Sequence, residues 1–140
     1  MKGYRKILIA VNGQQSVLTQ GLKLAQDEKC WVTVVKVLPR NEGDLDLVGV
    51  RNIDSVLDNG ASKALAMINE TAKAEGSLIK TRLEEGDVHK KIVEVAEEEK
   101  CDLIIMGARK IQKGLKNLFR CNTVEKVIES APCPVLVVAA

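Results

Sequence analysis

Few residues in this 140-residue chain have the chemistry to act on a substrate. There is one histidine, His89, and there are four cysteines, Cys30, Cys101, Cys121 and Cys133. One imidazole cannot build a histidine-rich zinc site or a catalytic plan that needs a second ring. The cysteines form no C-x-x-C pair, and a domain of this size needs no staples, so they read as reduced thiols. No G-x-S-x-G elbow, Walker lysine motif or H-E-x-x-H is present, and Gly107 to Gly114 followed by Leu115-Lys116 has the wrong spacing for a P-loop. The expectation is a binding protein, with no catalytic residue and no metal site.

Chemistry concentrates in one stretch. From Gly107 to Asn122 the chain carries Arg109, Lys110, Lys113, Lys116 and Arg120 and no acidic residue. A lysine can hold a phosphate as a point charge where a glycine-rich cradle cannot. Asn122 is a good helix N-cap that can also offer its amide to an anion. The same residues suit a solvated basic loop, and that is the leading expectation. Asn12, before Gly13, reads first as a cap or turn residue. Cys133, between Pro132 and Pro134, reads as a small buried hydrophobe, as do Cys30 and Cys101 at strand entries. Cys121 beside Arg120 is the one thiol placed where a cation and a helix start would lower its pKa. Asp87 reads as the N-cap of a helix, with His89 on the surface of its first turn, at the far end of the sheet from any ligand crevice. Glu94, Glu97, Glu98 and Glu99 read as a solvated helix face.

Short apolar runs bounded by turn or charged residues predict buried parallel strands at Ile7–Val11, Leu103–Met106 and Val135–Ala139. Trp31–Leu38 is a fourth, and Leu78–Leu83, alternating with Lys80 and Arg82, is a more exposed edge strand. Helical spacing links Leu18, Leu22 and Ala25; then Leu57, Ala61, Leu65, Ile68 and Ala72; then Val88, Ile92 and Ala96; and last Val124, Val127, Ile128 and Ala131 before Pro132. Arg40 to Asp54 reads as an irregular surface segment. The alternation predicts one α/β domain spanning 1–140, an open five-stranded parallel sheet with helices on both faces, and the usual strand order for this topology is 3-2-1-4-5. In such sheets ligands sit beyond the carboxyl ends of the strands at the switch point. That position falls to Asn12–Ser16 and Gly107–Thr123, the latter about fifteen residues where a short turn would serve.

Composition excludes several classes. A net charge of +2 gives no strong field for a polyanion, and Tyr4, Trp31 and Phe119 are the whole aromatic content, so nucleic-acid binding is not expected. The apolar run Ile7–Val11 is shorter than a signal peptide's core and far short of a membrane span. A cytoplasmic protein without membrane insertion is expected.

Four stretches resemble the universal stress protein family: Arg5-Lys-Ile-Leu-Ile-Ala-Val-Asn-Gly13; Val32-Thr-Val-Val-Lys-Val-Leu-Pro39; Glu85-Gly-Asp-Val with Ile92, Ala96 and Asp102-Leu-Ile-Ile-Met-Gly107; and Glu125-Lys-Val-Ile-Glu-Ser-Ala-Pro-Cys-Pro-Val-Leu-Val-Val138. The resemblance implies a Rossmann-like, adenine nucleotide alpha hydrolase-like fold. Members of the family that bind ATP look like G-x2-G-x9-G-[ST] after the fourth strand, with an aspartate closing the first. Glycines let backbone N–H groups approach phosphates, and the last pair opens a helix whose N-terminus favours anions. Gly107 matches the first glycine and Val37 the position whose main chain faces adenine. Lys110 stands on the second glycine and Asn12 on the aspartate. Counting back from Glu125-Lys126-Val127 puts Cys121 on the third glycine and Asn122 on the hydroxyl, with the loop one residue longer.

The resemblance therefore implies a cytoplasmic, homodimeric stress-response module with a degenerate nucleotide loop, weak or no ATP binding and no assigned cofactor, working through an unidentified protein partner. Its dimer contact would be the last strand, at Val135, Leu136, Val137 and Val138, since an apolar edge strand is a pairing template. The alternative is a working ATP or AMP switch, with magnesium, using Arg109, Lys110, Gly114, Asn122 and Thr123 for phosphates and Asn12 and Val37 for the nucleoside. A slow nucleotide hydrolase is the remotest reading, because the loop supplies neither a base nor a magnesium ligand.

Overall fold

The computed structural model describes residues 4–11, 15–26, 30–38, 50–108 and 122–139. The chain alternates strand and helix throughout: β1 (Lys6–Val11), α1 (Gln15–Gln26), β2 (Trp31–Leu38), α2 (Val50–Ala74), β3 (Ile79–Glu85), α3 (Val88–Glu98), β4 (Leu103–Ala108), α4 (Asn122–Ser130) and β5 (Val135–Ala139). All strand pairings are parallel, in the order β3-β2-β1-β4-β5.

The central strand shows why the sequence takes this form. Successive β-strand side chains leave opposite faces, and both faces of β1 are covered, so the run is apolar without alternation. Ile7, Ile9 and Val11 join Leu18, Leu22 and Ala25 of α1 and Ile68 and Ala72 of α2 in one core layer. Leu8 and Ala10 join Ile92, Val95 and Ala96 of α3 and Val127 of α4 in the other. Helices thus lie on both faces, as the alternation predicts. Gly21 of α1 is buried against the sheet, where an added Cβ would sit 2.9 Å from Ile9 Cδ1.

Two helix ends are closed in the same way. Past α2, Ser77 N–H donates to the Ala72 carbonyl (2.9 Å) and Gly76 takes φ +67, the left-handed cap that glycine adopts freely. Past α3, Cys101 N–H donates to Ala96 (2.9 Å), but the left-handed position is Lys100, at φ +54. Gln15 Nε2 donates to Thr71 Oγ1 at 3.2 Å, tying the start of α1 to α2.

Several boundaries differ from the sequence reading: β1 begins one residue earlier, at Lys6, and β4 runs two residues further, to Ala108. The stretch expected to be irregular through Asp54 is helical from Val50, while 39–49 lie outside the described residues. The edge strand starts at Ile79 rather than Leu78 and runs on to Glu85, leaving Leu78 95% exposed.

Candidate functional site

The topological switch lies between β1 and β4, which pair from Ile7↔Leu103 to Ala10↔Met106. The chain leaves β1 toward β2 on one side and β4 toward β5 on the other, opening a crevice beyond their carboxyl ends. Val37, one residue from the end of β2, is buried in the layer that also holds Ala10 and Met106. Gly107 is half-buried near the end of β4, opposite Val138 of β5. Asn122 opens α4, and Thr123 is half-buried behind it in the first turn. Since α4 connects the carboxyl end of β4 to the amino end of β5, its N-terminus belongs to the crevice end of the sheet.

The topology therefore gathers Val37, Gly107, Asn122 and Thr123 at one end of the molecule. Asn12, Arg109, Lys110, Gly114 and Cys121 lie outside the described residues. A phosphate cradle of the G-x2-G-x9-G-[ST] kind needs three unobstructed backbone N–H groups and a hydroxyl. Of these the chain keeps Gly107, the register partner of Val138 in β5, and has Lys110, Cys121 and Asn122 in sequence at the others.

Sequence reasoning misplaced His89. Helix α3 follows the carboxyl end of β3, where Gly86 N–H donates to the Leu38 carbonyl of β2 at 3.0 Å. Its first turn is therefore at the same end of the sheet as the crevice, on the β2–β3 side. His89 is not a free surface residue either. Its Nδ1 lies 2.9 Å from Asp87 Oδ1, with 19% of its side chain exposed. Asp87 occupies the N-cap position as expected, but its carboxylate makes no capping hydrogen bond and faces the imidazole instead.

The acidic end of α3 is likewise not simply solvated. Glu94 and Glu97 are exposed, but Glu98 and Glu99 reach across to β3. Arg82 donates to Glu84 (Nε 3.2 Å, Nη2 3.0 Å), Glu98 (Nη2 2.9 Å) and Glu99 (Nη1 3.3 Å). Burial works against the charged guanidinium, yet the hydrogen bonds from Glu98 and Glu84 outweigh it and raise the Arg82 pKa. A spacing of 16 residues or more gives no motif by which sequence could have found this network.

The described thiols are poorly suited to nucleophilic work. Burial, with Cys133 close by, pushes Cys101 up to about 11, and burial raises Cys133 as well. Cys30 Sγ donates to the Tyr4 carbonyl at 3.0 Å. Among the described residues no group of three or more His, Cys, Asp or Glu could hold a metal ion, and no helix is long and apolar enough to cross a membrane.

Comparison with known proteins agrees with this architecture. Residues 3–139 match the universal stress protein family. Universal stress protein MJ0531 of Methanocaldococcus jannaschii is 33% identical over 145 residues, covering 96% of this chain and 82% of its own length. Among solved structures, universal stress protein UspA from Lactobacillus plantarum superposes with a TM-score of 0.78 at 23% identity, covering 96% of this chain and 97% of the other. The universal stress protein from Archaeoglobus fulgidus in complex with dAMP gives 0.68 at 21% identity, covering 96% and 97%.

Proposed function

The chain belongs to the universal stress protein family, and from that premise we propose that it is a non-catalytic, homodimeric stress-response module of the cytoplasm whose nucleotide loop has degenerated. The observation that carries this is the donor set at the crevice. The fold keeps the switch point and Val37, but Lys110, Cys121, Asn122 and Asn12 replace two glycines, a hydroxyl and a carboxylate. A Cβ where the backbone needs positive φ costs on the order of 1 kcal/mol, and each side chain takes space a phosphate would use. Weak or absent ATP binding follows, and signalling then passes through a protein partner.

The dimer part of the reading is supported at the sheet edge. Val137 of β5 (38% exposed) and Ile128 of α4 (52% exposed) are exposed apolar side chains on the α4 side of the sheet. Among the described residues strand β5 is at the edge of the sheet, and an apolar edge of this kind is a pairing template. The proposed contact is two-fold pairing through Val135, Leu136, Val137 and Val138.

A second reading has a specific basis. The Archaeoglobus fulgidus protein carries dAMP on the same fold, and the basic loop with Thr123 behind Asn122 could hold phosphates by charge. Denaturing the freshly purified protein and chromatographing the supernatant for adenine nucleotide separates the two. Calorimetric titration with ATP, with and without magnesium, is the companion measurement. Stoichiometric nucleotide or a micromolar Kd overturns the degenerate-loop reading. If neither appears, the double variant Lys110→Gly, Cys121→Gly should recover binding where the loss is confined to those positions.

A further inference from the structure

Two thiols that the crevice does not use enter the sheet side by side. Cys101 stands two residues before β4 and Cys133 two residues before β5, and both are free thiols. The β4–β5 ladder begins at Ile104↔Val135, and the Ile104 N–H donates to the Pro134 carbonyl at 3.0 Å, so the two segments are already paired as they reach the strands. Carried back two residues, that register sets Cys133 opposite Asp102, with Cys101 as its diagonal neighbour. Ladder dimensions of about 4.8 Å between strands and about 3.3 Å along one put the two Cα atoms roughly 6 Å apart. A disulfide spans that distance.

Both side chains also belong to one side of the sheet. Cys101 is buried in the core layer that holds α3 and α4, and the half-buried Cys133 packs against the same layer. Strict alternation back from Leu103 and Ile104 would send Cys101 to the opposite face. It lies before the strand, however, where the left-handed Lys100 and the bond from Cys101 N–H to the Ala96 carbonyl set its direction. The charge of an ionised Cys133 is among the causes that raise the Cys101 pKa, as proximity requires. Cys30, by contrast, packs in the other layer, against the Tyr4 carbonyl.

We infer that Cys101 and Cys133 are a peroxide-responsive pair whose disulfide staples the entry of β5 to the entry of β4 and closes residues 101–133, the segment carrying the basic loop, into a ring. The Cys133 thiolate, the more accessible of the two, attacks one peroxide oxygen and breaks the O–O bond, giving a sulfenic acid and hydroxide. The Cys101 thiolate then attacks the sulfenic sulfur, forming the S–S bond and expelling a second hydroxide. The two protons released by the thiols turn both hydroxides into water, so two thiols and one peroxide become one disulfide and two waters. A small oxidant suits Cys133, half-buried between the exposed Pro132 and Pro134. Burial raises both thiols, so little thiolate is present at pH 7 and the pair responds to a sustained oxidant load rather than to a trace. The pair does not depend on whether the crevice binds nucleotide.

Millimolar hydrogen peroxide on the native protein, followed by alkylation and digestion without reductant, should give a linked Cys101–Cys133 peptide two hydrogens lighter than its parts. The Cys30→Ser, Cys121→Ser double variant should give the same peptide. Oxidation should raise Tm by at least about 5 °C, because the closed loop constrains the unfolded chain, and dithiothreitol should reverse the rise. In Cys133→Ser, changed at the half-buried site, peroxide should leave Cys101 a thiol and Tm unmoved. No linked peptide, linkage between chains or to Cys30 or Cys121 in preference, linkage only after urea is added, or a Tm that falls on oxidation would each overturn the inference.

Discussion

Lys80 on the edge strand and Glu99 just past α3 face each other with the ammonium 2.9 Å from both carboxylate oxygens. That hydrogen bonding, with the charges of Lys80 and Arg82 and against the cost of burial, holds Glu99 below its ordinary 4.5. A carboxylate with a depressed native pKa stabilises the fold above its unfolded value, and the contribution is lost as pH falls through the native one. Stability should therefore decline on acidification below about 4.5. Arg82→Ala leaves Glu84, Glu98 and Glu99 together without their shared cation. We expect a loss of about 1–2 kcal/mol at pH 7 in urea unfolding, narrowing at pH 3.5 as the carboxylates protonate. The same loss at both pH values would show that Arg82 acts through packing rather than charge.

Lys100 pairs a left-handed backbone with a side chain that gains nothing from it, since it is exposed and its N–H already caps Glu97 at 3.2 Å. Glycine in the same geometry at Gly76 carries no such strain. Lys100→Gly should raise stability by about 0.5–1 kcal/mol, reduced from the full strain by glycine's larger unfolded-state entropy. Calorimetry should show Tm higher by about 2–4 °C for a chain of this size. A lower Tm would mean that the ammonium makes a contribution larger than the strain.

Cys101 gives a prediction on the alkaline side. Its thiol is held up to about 11 from an ordinary 9.0. The unfolded chain releases this proton first, so the stability it represents is complete below about pH 9 and disappears as pH rises to 11. A shift of this size corresponds to roughly 2–3 kcal/mol. Cys101→Val should flatten the fall in urea midpoint between pH 9 and 11. In the native protein at pH 8 the Cys101 thiol should resist a disulfide reagent until urea is added. Rapid native labelling would mean that the β4 entry opens far more readily than its burial implies.

How much of this was legible in the sequence depended on the range of the interaction. Ile7–Val11 could be read as a doubly covered strand because it is a short continuous apolar run bounded by charged and turn residues, and the parallel sheet followed from the alternation, while its order was the one usual for this topology. The first turns of α2 were missed although Val50, Ile53 and Leu57 stand at helical spacing, because Gly49, Arg51, Asn52 and Asp54 around them read as a polar loop and Gly60 weakens the helix signal. Asp87 could be placed as a cap, but a carboxylate two residues before a histidine has two partners to choose from, and the structure gives it to His89. The grip of Arg82 on Glu98 and Glu99 was hidden because it joins a strand to the far end of the following helix. The crevice was legible as a set of substitutions at Asn12, Lys110, Cys121 and Asn122.

The proposed dimer makes the sharpest demand on a single hydrogen bond. Ile104 N–H donates to the Pro134 carbonyl at 3.0 Å, which fixes the phase of the β4–β5 ladder. In parallel pairing the bonded residues of β5 then alternate, so Leu136 and Val138 turn their N–H groups toward β4 while that of Val137 points away from the sheet. Proline at Val137 therefore removes no bond within the chain and is a substitution an edge strand tolerates. It does remove a donor from the outer edge and places a ring where a second strand would pair. Val137→Pro should keep its circular dichroism and lose no more than about 1 kcal/mol of stability, while light scattering at micromolar concentration should change from a dimer's mass to a monomer's. A variant that stays dimeric would move the interface off β5, and a wild-type protein that is already monomeric would remove the dimer from the proposed function.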